Sequence, residues 1–131
     1  MVIDTSALMA ILCDEAERHH FNELIAASPS RLISAGTYLE TAIVVEARFG
    51  RKGTHHLKLF LTTASIDVIA CDREQADIAA DAYYRYGRGR HVSGLNYGDC
   101  FSYALAIQTD EPLLFKGDDF VHTDVSSATY L

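Results

Sequence analysis

Apolar residues fall along this chain in two rhythms. Short, almost wholly apolar runs stand at 2–5 (VIDT), 31–35 (RLISA), 66–70 (IDVIA) and 112–115 (PLLF). Between them, apolar positions recur every three to four residues. The first rhythm predicts strands buried on both faces, the second predicts helices with one inner side. Helices are expected over 6–13 and over 15–27, the latter with Phe21, Leu24 and Ile25 inward and Glu15, Glu17 and Arg18 outward. Ser28-Pro29-Ser30 breaks that helix. A third helix spans 37–50, with an apolar stripe at 39, 43, 44 and 47, and Gly50 to end it. A loop, RKGTHH, leads to a helix over 55–64; further helices cover 73–87 and 97–109. A glycine-rich basic loop (87–95), a polar turn (116–124) and a last short strand near 124–130 complete the reading.

Strands alternating with helices imply an α/β architecture: a short, mostly parallel sheet flanked by helices on both faces. At 131 residues, with 49% hydrophobic and 22% charged positions, the chain is expected to form a single domain, 1–131. It shows neither a secretory leader nor an apolar run long enough for a membrane span, so a soluble cytoplasmic protein with no membrane partner is expected. Cys13, Cys71 and Cys100 sit in apolar surroundings without metal-binding spacing, and an odd number predicts buried thiols in a reducing compartment. The net charge of −7, from 11 basic and 18 acidic residues, speaks against plain phosphate-backbone binding.

In parallel sheets ligands bind beyond the carboxyl ends of the strands, so the residues at those ends matter most. Asp4 ends the first strand, Glu40 opens the helix after the second, Asp99 opens the 97–109 helix, and Asp118 and Asp119 follow the fourth. Each has a structural alternative. Thr37 with Glu40, and Asn96 with Asp99, fit helix capping boxes; Asp4 is placed to cap the next helix; Lys116 to Asp119 reads as a turn. Together they converge on one rim from four segments. Clustered carboxylates repel, and one protonates unless a cation lies among them. Oxygen ligands without His or Cys suit Mg2+, with Mn2+ as a substitute. Such an ion is the usual apparatus of phosphoryl transfer.

These residues resemble a family, the PIN domain, and within it the VapC-type toxins of bacterial toxin–antitoxin (VapBC) pairs. The resemblance rests on MVIDTSAL, YLETAIVVEARFG, LNYGDCFSYALA and LLFKGDDFVHTD, in that order along the whole chain. It implies a PIN-like three-layer sandwich and a Mg2+-dependent endoribonuclease that leaves a 5′-phosphate and a 3′-hydroxyl. It also implies a homodimer, inhibited by a VapB-type antitoxin in a heterotetramer or larger complex. On this resemblance Asp4 and Asp99 are the metal ligands, Glu40 is the third acid, and Asp118, favoured over Asp119, is the fourth, Gly117 standing where relatives carry a polar residue. Thr5, Ser6 and Asn96 flank the cluster as supporting residues.

Basic residues concentrate in two segments, one with Arg48, Arg51, Lys52, His55 and His56, the other with Arg85, Arg88, Arg90 and His91. Arg51, Lys52, Arg88 and Arg90 are the expected RNA contacts, with solvated surface charge as the alternative. Tyr83, Tyr84 and Tyr86 lie on an amphipathic helix and are expected in the core or a dimer interface; the paired histidines are expected at the surface. Three other readings compete. A haloacid-dehalogenase-like phosphatase needs a second Asp two residues after the first, where Ser6 stands. A receiver domain needs a late strand-end Lys. A non-catalytic binding module on the same fold would leave the carboxylates dispensable.

Overall fold

The structure, a computed structural model, describes residues 1–130. Strands β1 (Val2–Ile3), β2 (Leu32–Ser34), β3 (Asp67–Ile69) and β4 (Leu113–Leu114) form one parallel sheet in the order β3-β2-β1-β4. They are joined by α1 (Thr5–Leu12), α2 (Arg18–Ala27), α3 (Ala35–Phe49), α4 (Arg51–Thr63), α5 (Arg73–Tyr86) and α6 (Tyr97–Thr109). In register, Val2 stands beside Leu32 and Leu113, and Ile3 beside Leu114. The pleat sends neighbouring residues to opposite faces. Ile3, Ile33 and Leu114 pack with Leu8, Ile11, Phe21, Ile25, Leu57 and Leu61 of α1, α2 and α4. Val2, Leu32 and Leu113 pack with Ala82, Tyr86, Tyr103 and Leu105 of α5 and α6. Burial on both faces explains the uninterrupted apolar runs, and each such Leu or Ile contributes roughly 1.5–3 kcal/mol. The expected three-layer α/β sandwich is what forms.

The order of strands positions the site. From β1 the chain builds β2 and β3 on one side, then returns to add β4 on the other. The connections therefore diverge around β1, opening a crevice at its carboxyl end. Asp4 follows β1 directly.

The helix boundaries differ from the expected ones where tertiary contacts decide. Helix α3 starts two residues early, at Ala35, because Ser34 caps it by accepting a hydrogen bond from the Gly36 amide. Thr37 is thus inside the helix and fully buried, and the Thr37–Glu40 capping box does not form. The apolar stripe of α3 also faces the other way: Thr37, Thr41 and Val45 are buried, whereas Leu39 and Ile43 are each 59% exposed. Helix α4 begins at Arg51 immediately after Gly50, whose φ of 69° reverses the chain without a loop. Gly53 belongs to that helix because a Cβ there would lie 2.6 Å from the Val45 carbonyl oxygen; the two helix backbones touch. No last strand forms among the described residues. A single parallel bridge joins Leu113 to Ser127, and Ala128–Tyr130 is a 3-10 turn. Only Cys100 is buried; Cys13 and Cys71 are half-buried.

Candidate active site

Asp4 is the hub. Its side chain is 3% exposed, yet it is fully engaged. Oδ2 accepts from the Ser6 amide (3.0 Å) and the Ser6 hydroxyl (2.7 Å), and Oδ1 accepts from the Ser102 hydroxyl (2.5 Å). The capping role read from the sequence is real, but it uses one oxygen only. The Ser6 hydroxyl also accepts from the Lys116 amide (3.0 Å), tying the second residue after β4 to α1. The Lys116 ammonium is drawn away from the cluster to Glu15 and Glu17.

Glu40 lies in the second turn of α3, and its Oε1 accepts from the Thr5 hydroxyl (2.5 Å). Thr41, also on α3, donates to Thr5 in turn (3.0 Å). Burial raises the Glu40 carboxyl, the Asp4 charge adds to this, and the Thr5 bond opposes it. Across the crevice, the capping box of α6 forms as expected: Asn96 accepts from the Asp99 amide, and Asp99 accepts from the Asn96 amide, both at 2.9 Å. Burial pushes the Asp99 carboxyl up to about 7; the Asn96 amide opposes, and the charges of Asp4, Asp119 and Glu40 add to the rise. The acids expected at one rim thus feel one another.

After β4, Asp118 and Asp119 are both exposed. Burial and the charges of Asp4 and Asp118 raise the Asp119 carboxyl, and Arg88 opposes them. Asp99 responds to Asp119 in the same way. Gly117, at φ 97°, makes the turn that leads from β4 into the two aspartates. Among the described residues, no three His, Cys, Asp or Glu side chains lie close enough to share one ion.

The two basic segments separate. Arg88 stands beside the acids, near enough to act on Asp119, and lines a groove of about 640 Å³ between α5 and α6 with Tyr83, Asn96, Tyr97 and Phe101. Its loop is closed at the neck by hydrogen bonds from the Arg88 amide to Leu95 and from the Leu95 amide to Tyr86. Arg90 rests over the Tyr84 ring, 5.4 Å from its centroid. Arg51 and Lys52 open α4 just beyond the far end of α3, whose last residue, Phe49, lies roughly 13 Å along the helix axis from Glu40. Arg85 is structural, bonded to Tyr86 and Asp124. Tyr86 is a core residue, whereas Tyr84 is exposed.

Sequence reasoning missed Ser102, Thr37 and Thr41, all completely buried. Ser102 does carry a signal, standing three residues after Asp99 on one helical face. Thr37 and Thr41 carry the helical i, i+4 spacing, which the more apolar stripe obscured.

A parallel sheet with a switch point at β1, and carboxylates from four segments at its carboxyl edge, defines an α/β fold with an acid-lined crevice. The PIN domain family matches residues 1–126. "Ribonuclease VapC" of Mycolicibacterium smegmatis is 56% identical over 127 residues, covering 97% of this chain and 98% of that protein. "Ribonuclease VapC30" of Mycobacterium tuberculosis is 54% identical, covering 97% of each. Among solved structures, Mycobacterium tuberculosis VapC20, described as a sarcin-ricin loop cleaving toxin, aligns with a TM-score of 0.76 at 16% identity over 95% of each chain. VapBC2 of Rickettsia felis, bound to a DNA fragment from its promoter, aligns with a TM-score of 0.76 at 13% identity over 96% of this chain and 94% of that one. The chain belongs to the PIN domain family, in the VapC group that these relatives represent. Membership sets aside the phosphatase and receiver readings. No helix among the described residues is long and apolar enough to cross a membrane.

Proposed function

We propose that this protein is the ribonuclease toxin of a VapBC-type pair, cutting RNA phosphodiester bonds with a divalent ion held by its acidic rim. The observation that carries the reading is the gathering of acids at the β1 edge: burial raises Glu40, Asp99 and Asp119, and the charges of neighbouring acids add to each rise. A hard cation relieves that repulsion. The donor set fits Mg2+, which binds through one or two carboxylates and keeps several waters, and so needs no three side chains on one point. Mn2+ suits the same oxygens.

Asp4 and Asp99 are the direct ligands in this reading. When bound, the ion supplies Lewis-acid polarisation of the phosphodiester and an acidified water. Glu40 orients the attacking water and takes its proton; a carboxyl raised by burial is better matched to that task than a solvated one. Asp119 takes the fourth acidic place that the sequence assigns to Asp118. Arg88 holds a substrate phosphate beside the acids, giving the acidic chain a local point of attachment for RNA. The product ends are a 5′-phosphate and a 3′-hydroxyl. The partner is a VapB-type antitoxin that blocks the rim; the structural neighbour from Rickettsia felis is itself a VapBC assembly. A second copy covers the apolar face where Leu39, Ile43, Tyr97 and Tyr83 stand exposed.

The test is cleavage of a mixed fluorogenic RNA with Mg2+, Mn2+ or EDTA, with identically purified Asp99→Asn controlling for contaminating nuclease. Metal-dependent cleavage absent from the variant supports the reading. Equal inactivity of both folded proteins on structured and unstructured RNAs favours a binding module. Asp119→Asn is expected to lose far more activity than Asp118→Asn.

A further inference from the structure

Ser102 lies in the middle of α6 and is completely buried, as is Thr37 in the first turn of α3. A serine within a helix commonly turns its hydroxyl back to the carbonyl four residues earlier. Thr41 turns this way, its hydroxyl 2.9 Å from the Thr37 carbonyl and 3.0 Å from the Thr5 hydroxyl, its one proton shared between the two. Ser102 instead donates to Asp4 Oδ1, 98 residues away, at 2.5 Å. Its hydroxyl also lies 3.1 Å from the Thr37 hydroxyl. A hydroxyl has a single proton and a carboxylate only accepts. Ser102 therefore gives its proton to Asp4, and Thr37 must donate to Ser102. The bonds run one way: Thr37 to Ser102 to Asp4.

The two oxygens of Asp4 are held from different parts of the chain. Ser6 holds Oδ2 locally, as a cap. Ser102 holds Oδ1 from the helix that carries Asp99. Without Ser102, the cap still retains one oxygen, but the carboxylate is free to rotate about it. Oriented outer residues of this kind are worth about 10- to 100-fold in metal affinity.

We propose that Ser102, itself oriented by Thr37, is a positioning residue that locks the Asp4 carboxylate in its ligating orientation and couples it to the helix bearing Asp99. The inference rests on the metal reading of the rim. Neither hydroxyl touches substrate; both act through Asp4.

The experiment is calorimetric titration of the purified full chain with Mn2+, alongside thermal melts in chelator. Relative to wild type, Ser102→Ala is expected to bind Mn2+ about 10- to 100-fold more weakly. Thr37→Val is expected to weaken binding less, and Thr37→Ser, which restores the hydroxyl, to bind as wild type does. The Thr37→Val/Ser102→Ala pair is expected to bind no more weakly than Ser102→Ala alone, because Thr37 acts only through Ser102. A Ser102→Ala protein with wild-type affinity overturns the inference, as does a double loss equal to the product of the single ones. If Ser102→Ala does not fold, the contrast between Thr37→Val and Thr37→Ser decides. A wild type that binds neither Mn2+ nor Mg2+ overturns the metal reading and this inference with it; intact binding with an indifferent Ser102 overturns the inference alone.

Discussion

Gly98 lies against the carboxylate of Glu40: a Cβ on Gly98 would stand 1.8 Å from Glu40 Oε2. Helix α6 thus presses bare backbone onto an acid carried by α3, while Thr5 holds the same acid by its other oxygen. Gly98→Ala must push the Glu40 carboxylate aside and break that bond. Glu40 is the flexible end of a long side chain, so the fold survives. Misplacing a reacting group by about 1 Å costs on the order of 100-fold. The expected result is a kcat/KM drop of about 10- to 100-fold, with the melting temperature nearly unchanged. A wild-type rate in the variant would remove Glu40 from the chemistry.

The raised acids make metal-free stability depend on pH. Folding lifts Asp99 from an ordinary Asp value to about 7, and Glu40 and Asp119 move upward too. The folded protein therefore holds protons that the unfolded chain has released. Stability from protonated Asp99 is present at the acidic end and is lost as pH rises from about 4 through about 7. In chelator, the melting temperature should fall by several degrees between pH 5 and pH 7.5, and Mg2+ should reduce that slope. Asp99→Asn keeps an oxygen for the Asn96 amide and should melt higher than wild type at pH 7.5. A melting temperature that rises over this interval would contradict the assignment.

Arg88 acts on Asp119, whereas Arg51 and Lys52 stand at the far end of α3. With inactive Asp99→Asn protein and single-stranded RNA, Arg88→Ala should lower the slope of log affinity against log salt by about 0.7, the loss of one phosphate contact. The Arg51→Ala/Lys52→Ala pair should change it less. Equal slopes for all three proteins would return Arg88 to the status of a surface charge.

Leu39 and Ile43 are each more than half exposed on a helix whose buried side is occupied by threonines. They adjoin Tyr97 and Phe101 in one shallow apolar depression. Ile43→Glu places a charge there. Size-exclusion chromatography with light scattering should show a dimer for wild type and a monomer for the variant, with unchanged circular dichroism. A monomeric wild type would leave the face without its proposed cover.

The wrong inner side assigned to α3 shows where sequence reading stops. Apolar spacing at 39, 43, 44 and 47 says that one stripe avoids water; it does not say whether a core or another chain covers it. The face that the structure buries carries Thr37 and Thr41 with Val45. Those hydroxyls are tolerated in the interior only because each finds a hydrogen-bond partner there. The same limit holds for Asp118 and Asp119: adjacent in sequence, they look alike there, and the charge of Asp4 on Asp119 is felt only in the folded chain.

By itself the sequence determined the order of the six helices and of the four strands of the sheet, though not the absence of a strand near 124–130, together with the parallel pairing and the α6 capping box. These follow from local periodicity and capping spacing, both properties of short stretches. Only the tertiary structure decided that Arg88 of the basic segments acts on an acid of the rim, and that Ser102, bonded in turn to Thr37, holds Asp4 from behind. Those are relations between residues up to 98 positions apart. A hydroxyl looks the same in sequence whether it meets water or a buried carboxylate; packing alone supplies its partner.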